Sequence, residues 1–194
     1  MIEATGAQII VKMLERQGIT TVTGIPGGST LPLYDELSKS NLRHILVRHE
    51  QGGGFLAQGM ARSTGQPAVC LATSGPGAMN LLTALADARS DSVPLVAITG
   101  QVNTSLIGTD AFQEADTFGL SFPITKHSVM VASAEELLTA IPRAFVTAAE
   151  GRPGEKRHGS SSRLFPGRSQ PPGQRITCAA RPRSDPAGRS SRGS

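Results

Sequence analysis

The sequence predicts an α/β fold, an open parallel sheet with helices on both faces. Three observations predict it. Short apolar runs recur between helical stretches along residues 1–154. Those runs are continuous rather than alternating, as strands buried on both faces require. Their spacing suits strand–helix–strand units with crossover connections.

Each element follows in order. Thr5-Gly-Ala-Gln8 fits a capping box, and Ile9, Ile10, Met13 and Leu14 form an apolar stripe that stops at Gly18. Ile19-Thr-Thr-Val-Thr23 reads as a strand, Gly24-Ile-Pro-Gly-Gly28 as a turn, and residues 31–37 as a helix. Arg43-His-Ile-Leu-Val47 is a second strand, followed by a helix over 51–63. Ala68-Val-Cys-Leu-Ala72 is a third, running into Ser74-Gly-Pro-Gly77 and a helix through residue 88. Leu95-Val-Ala-Ile-Thr99 is a fourth. Residues 134–149 form a helix that Pro142 is expected to kink or interrupt. In such sheets ligands bind beyond the carboxyl ends of the strands. Residues 24–28, 49–54, 74–77 and 100–103 all follow strands, so they should gather on one edge.

Composition divides the 194 residues at Gly154. Residues 1–154 carry ten Lys/Arg and thirteen Asp/Glu, whereas 155–194 carry nine Lys/Arg and two Asp/Glu. Gly, Pro, Ser and Arg fill 26 of the last 40 positions, a composition expected to be disordered. Its arginines lack aromatic interleaving or amphipathic period, so specific nucleic-acid binding is not expected. Cys70 and Cys178 fall on either side of the division and imply no disulfide framework. Without a signal-like opening or a membrane-length apolar run, the expectation is a cytoplasmic chain without membrane association.

The motifs are weighed singly. Ser74-Gly-Pro-Gly77 lacks the third glycine and the ribose-binding acid of a dinucleotide loop. No nucleophile elbow is present, and His44, His49, His127 and His158 lack metal-ligand spacing, so no metal site is expected. Gly24-Ile-Pro-Gly-Gly28 serves equally as a sharp link or as backbone that a flat ligand approaches closely. Glu50 stands out. Capping explains an acid at the start of a helix. It does not explain Gly52-Gly-Gly54, since each helical glycine costs about 0.8–1.0 kcal/mol relative to alanine. Either a neighbouring backbone or a ligand should occupy the vacated space. A carboxyl in such a crevice is suited to share a proton with a ligand nitrogen.

Arg48-His-Glu-Gln-Gly-Gly-Gly54, Gly24-Ile-Pro-Gly-Gly28, Ser74-Gly-Pro-Gly77 and Gly100-Gln-Val102 together resemble the pyrimidine-binding domain of thiamine-diphosphate-dependent enzymes. Ile107-Gly-Thr-Asp-Ala-Phe-Gln-Glu114 and Pro123-Ile-Thr-Lys-His127 resemble the acetolactate synthase (acetohydroxyacid synthase) branch, and the likeness covers residues 1–154. The resemblance implies the thiamine-diphosphate-binding fold and a catalytic role for Glu50. That residue would hydrogen-bond N1′ of the cofactor's aminopyrimidine and so help deprotonate the thiazolium carbon. Pyruvate would be decarboxylated and joined to a second 2-keto acid, pyruvate or 2-ketobutyrate, in branched-chain amino acid biosynthesis.

The same resemblance places Gly27 and Gly28 beside the cofactor, Phe112 and Gln113 at the substrate funnel, and Lys126 along the channel. It also makes Arg152 a contact to FAD. Cofactors implied are thiamine diphosphate, Mg²⁺ with ligands outside this chain, and FAD. Partners implied are a second catalytic subunit, as a homodimer or larger, and a regulatory small subunit. Other readings are a different thiamine-diphosphate-dependent carboligase or decarboxylase, or a noncatalytic truncated binding module. After Gly154 the family pattern stops abruptly, leaving the domain incomplete at its C-terminal end. A shift of reading frame would produce such a break, and the truncated chain is expected to be inactive alone.

Overall fold

The computed structural model describes residues 4–150 and 174–179. Among the described residues six strands form one sheet in the order β2-β1-β3-β4-β6-β5. These are β1 (Thr21–Gly24), β2 (Arg43–Leu46), β3 (Ala68–Ala72), β4 (Leu95–Gly100), β5 (His127–Val131) and β6 (Gln174–Ala179). Strands β1 to β4 pair in parallel. Strand β6 runs antiparallel to both β4 and β5, so five strands share one direction.

The helices are α1 (Gly6–Arg16), α2 (Leu31–Ser38), α3 (Glu50–Thr64), α4 (Pro76–Asn80), α5 (Leu82–Ser90), α6 (Thr117–Ser121) and α7 (Ala134–Ala149). Thr5 closes the expected capping box with Gln8. The central strands are buried along their whole length, and their side chains alternate between two cores. Val69, Leu71, Val96 and Ile98 pack with α1, α2 and α7 through Ile10, Leu14, Leu33, Leu37, Leu137 and Ile141. Ala68, Cys70, Ala72, Leu95 and Ala97 face the other way, onto Ala57 and Ala61 of α3 and Leu85 and Ala88 of α5. Helices therefore cover both faces, and the unbroken apolar runs have their physical reason: each face needs its own apolar residues.

Four local expectations are corrected. Strand β2 is not buried on both faces, because it lies at the sheet edge with Arg43 and Leu46 exposed. Pro142 does not interrupt α7. The carbonyl it deprives of a donor belongs to Leu138, a residue 39% exposed. The single helix expected from the Ser74–Gly77 loop through residue 88 divides at Leu81 into α4 and α5. Finally, Gln174–Ala179 is a strand although it falls in the tail expected to be disordered. Its Ile-Thr-Cys run has β-forming character, and the gap between β4 and β5 offers backbone partners on both sides. The rest of 155–194 lies outside the described residues. Strand β5 and helix α6, unread in the sequence, complete the layer. Among the described residues no helix is long and apolar enough to cross a membrane.

The three glycines of α3 have three different surroundings. A Cβ on Gly54 would stand 2.5 Å from Ala84 Cβ, so this glycine lets α3 approach α5. Gln58 reinforces the contact by donating to the Ala84 carbonyl at 2.7 Å. A Cβ on Gly53 would lie 3.0 Å from Val47 Cγ2, and the Gly53 carbonyl accepts from Thr23 Oγ1 at 2.8 Å. At Gly52 a Cβ meets nothing within 4 Å. Gly54→Ala should therefore destabilise the fold by about 1–3 kcal/mol through overpacking, despite its gain in helix propensity. Gly52→Ala should instead be neutral or stabilise by about 0.5–1 kcal/mol. Urea midpoints of the two variants test the contrast, and equal effects would refute this assignment of roles.

Candidate functional site

The crevice forms where the strand order reverses. From β1 the chain passes to β2 on one side and then to β3 on the other, so the loops leaving β1 and β3 part at their carboxyl ends. They are joined there by hydroxyls. Ser29 Oγ lies 3.0 Å from Thr73 Oγ1 and accepts the Ser74 backbone N–H at 3.1 Å. The contact is so close that a Cβ on Gly27 would collide with the Thr73 side chain, and one on Gly100 with Ser29. Gly75 turns the chain with φ +51°, and the backbone carbonyl of Gln113 occupies the space a side chain there would take. Thus the glycine-bearing loops do gather on one edge.

Glu50 opens α3 beside this junction. Its cap is supplied by the neighbour: His49 Nδ1 accepts the Gln51 backbone N–H at 3.2 Å. With the helix end served by His49, the Glu50 side chain extends across to α4. Its Oε2 accepts from Asn80 Nδ2 at 2.9 Å. Its Oε1 stands 3.2 Å from where a Gly77 Cβ would be, so any larger residue at 77 would press on the carboxylate. Glu50 is half-buried, while Gly52 and Gly28 are exposed and a Cβ at either would meet nothing within 4 Å.

Two ionisable groups lie beneath. The Tyr34 phenol is driven above its ordinary range first by burial, with Cys70 and Glu50 adding to the effect. Its hydroxyl is buried without a hydrogen-bond partner, while its ring meets His44 edge-on at 4.9 Å. His44 Nε2 in turn lies 3.1 Å from the Gly24 carbonyl. Burial pushes the Cys70 thiol up to about 12. A thiol held neutral in this way is a packing residue, not a nucleophile.

The residues singled out in the sequence separate on this framework. Gly27 and Glu50 meet one junction, Gly27 against Thr73 and Glu50 against Gly77, which itself abuts Thr73; Gly28 follows Gly27 on the loop leaving β1. Gln113 reaches the junction through its backbone, which sits over Gly75 in a left-handed conformation, φ +59°. Phe112 projects from the same loop, 88% exposed. Lys126 does not join them. The register sets the start of β5 level with Val96, near the start of β4 and at the far end of the strands from Gly100. There its ammonium donates to the carbonyls of Thr147 and Glu150 at 2.6 Å, closing the C-terminal end of α7. Arg152 lies outside the described residues. Among the described residues no group of three or more His, Cys, Asp or Glu is placed to hold a metal ion.

Sequence reasoning missed Asn80, Ser29 and Thr73. Their partners lie 30 and 44 positions away, beyond the reach of any local pattern. A weak signal for Asn80 existed in its place one helical turn after the glycine-rich loop.

The raised Cys70 thiol carries a pH consequence. Its folded value, about 12, exceeds the ordinary 9.0, so the unfolded chain ionises first. The associated stability is fully present below about pH 9 and is lost as pH rises towards 12. About 1 kcal/mol should disappear between about pH 9 and pH 10. Denaturation curves of Cys70→Ala should lack this component; an identical pH dependence in both proteins would refute it.

Comparison with known proteins agrees with this geometry. The family model "Thiamine pyrophosphate enzyme, N-terminal TPP binding domain" matches residues 4–120. Over 151 residues the chain is 66% identical to the acetolactate synthase isozyme 1 large subunit of Escherichia coli (strain K12), covering 77% of this chain and 27% of that protein. It is 57% identical over 153 residues to an acetolactate synthase of Mycobacterium bovis, covering 78% and 25%. It is also 56% identical over 149 residues to the E. coli isozyme 2 large subunit, covering 77% and 27%. The chain thus spans about a quarter of the length of the curated relatives it matches. Loops gathered at the strand ends, a carboxylate released from capping and the matched sequence together lead to one conclusion: the chain belongs to the thiamine pyrophosphate enzyme family, through its N-terminal TPP binding domain, and is a homologue of acetolactate synthase large subunits over that region.

Proposed function

We propose that this chain is the pyrimidine-binding part of an acetolactate synthase catalytic subunit, and that Glu50 is its catalytic residue. One observation carries the reading: His49 caps α3, and the Glu50 carboxylate is left to reach Asn80 and the Gly77 turn of α4 instead of serving its own helix end. Those residues fit the aminopyrimidine end of thiamine diphosphate. A carboxylate supplies the proton partner that a ring nitrogen needs, and open positions at Gly28 and Gly52 leave room for a flat ring. Gly53 and Gly54 contribute packing instead, so the space for the ring does not come from them. When bound, the cofactor supplies the electron sink for decarboxylation of a 2-keto acid.

What the chain itself does is narrower. Glu50 holds and moves a proton at the ring nitrogen. Gly27, Gly28 and the Gln113 backbone shape the crevice, and Phe112 stands ready at its approach. The diphosphate and Mg²⁺ belong with protein outside this chain, in a second catalytic subunit of a homodimer or larger assembly. FAD would engage Arg152, and a regulatory small subunit is the further partner. Lys126 would line a channel only where another surface meets the far end of the sheet. Pyruvate and 2-ketobutyrate are the substrates proposed for the whole enzyme, in the cytoplasm.

Titration with 4-amino-5-hydroxymethyl-2-methylpyrimidine tests the site directly. Its nuclear magnetic resonance footprint should centre on Glu50, Gly27 and Gly28, and Glu50→Gln should weaken binding about tenfold or more. In a chain restored to full length, the same change should lower acetolactate formation by about 10²–10⁴-fold while folding survives. Undiminished turnover would end the proposal.

A second reading, a truncated module without activity, draws on the quarter-length coverage of the relatives. We take residues 1–154 as the domain, incomplete at its end, and 155–194 as sequence read in a shifted frame. The purified chain of 194 residues should then form no acetolactate from pyruvate, even with thiamine diphosphate and Mg²⁺ supplied. The nucleotide sequence beyond codon 154 should restore an apolar strand in another frame. If neither alternative frame does so, the frame-shift idea is wrong.

A further inference from the structure

Glu50 has two carboxylate oxygens, and the structure treats them differently. Oε2 is held by the Asn80 side-chain amide at 2.9 Å, whereas Oε1 lies along the space beside Gly77. An ionised carboxylate only accepts hydrogen bonds, so the amide must present its NH₂ rather than its oxygen to it. Asn80 is exposed, but its backbone is held. It ends the short helix α4, whose first turn is set by Gly75 and whose Gly77 N–H donates to the Ser74 carbonyl at 3.2 Å. The loop that closes the crevice therefore also carries the group that grips its carboxylate.

We infer that Asn80 is a positioning residue: it holds Oε2 of Glu50 so that Oε1 alone faces the ring nitrogen of an aminopyrimidine. This rests on the reading of Glu50 given above. A carboxylate without such a partner rotates about its last bond and offers either oxygen in several directions. A charge-assisted bond to an amide on a separate element removes that freedom before the ligand arrives. It also links two loops: any shift of α4 would turn the carboxylate at the start of α3.

The isotope-labelled chain tests this by nuclear magnetic resonance. In Glu50→Gln the charged acceptor is lost, and one Asn80 side-chain amide proton should move upfield by a few tenths of a part per million. Unchanged Asn80 amide signals in that variant overturn the inference, however the Asn80 variants fold. Asn80→Asp keeps the shape but removes the donor, and Asn80→Ala removes both. In each, the Glu50 carboxyl carbon signal should shift while the backbone signals of α3 and β3 stay in place. The affinity for 4-amino-5-hydroxymethyl-2-methylpyrimidine should fall about tenfold. If that probe binds the unsubstituted chain at Glu50 and binds Asn80→Asp equally well, the positioning role is refuted and the reading of the site stands. If the probe leaves the Glu50 carboxyl signal unmoved in the unsubstituted chain, the reading of the site fails, and the inference fails with it.

Discussion

The site depends on two hydroxyl side chains crossing at close range. Ser29, on the loop leaving β1, and Thr73, on the loop leaving β3, meet at 3.0 Å above the point where the strand order reverses. Three glycines are explained by that single contact. Gly27 and Gly77 both give way to the Thr73 side chain, and Gly100 gives way to Ser29. Loops that a parallel sheet would leave splayed are thereby drawn together at the strand ends. Hydroxyls serve here because each both donates and accepts, so one short bond joins the buried Thr73 to the half-buried Ser29.

The second arrangement is a division of labour at the start of α3. A helix N-terminus exposes unsatisfied N–H groups, and an acid at that place normally serves them. Here His49 makes the capping bond, which leaves Glu50 chemically uncommitted to its own helix. The carboxylate instead reaches another element, α4, through Asn80 and Gly77. Burial raises the Tyr34 phenol and the Cys70 thiol within the same framework, so neither is suited to act as an anion there.

The sheet itself is less uniform than its central strands. Strands β1, β3 and β4 provide a rigid parallel floor, and the alternation of their side chains anchors helices on both faces. Beyond β4 the pairing turns antiparallel through β6 before β5 completes the layer. The edge that carries Glu50 is built only from the parallel part. Lys126, attached to β5, consequently lies at the other end of the strands, where it closes α7.

The periodicity of local sequence determined a good deal. Continuous apolar runs such as residues 68–72 and 95–99 define strands whatever surrounds them, because burial on both faces demands it. The 3.6-residue stripe and capping box of α1, and the choice of Glu50 as the residue of interest, were legible for the same reason. Tertiary structure alone decided the rest. Gly52, Gly53 and Gly54 look alike in sequence, yet one faces open space, one faces Val47 and one admits Ala84. Nothing near residue 80 announces a partner 30 positions earlier. Nor does composition reveal that Gln174–Ala179 pairs with two strands. Such contacts depend on strand order and on the distance between packed elements. These are properties of the whole chain in three dimensions, and no short window of residues contains them.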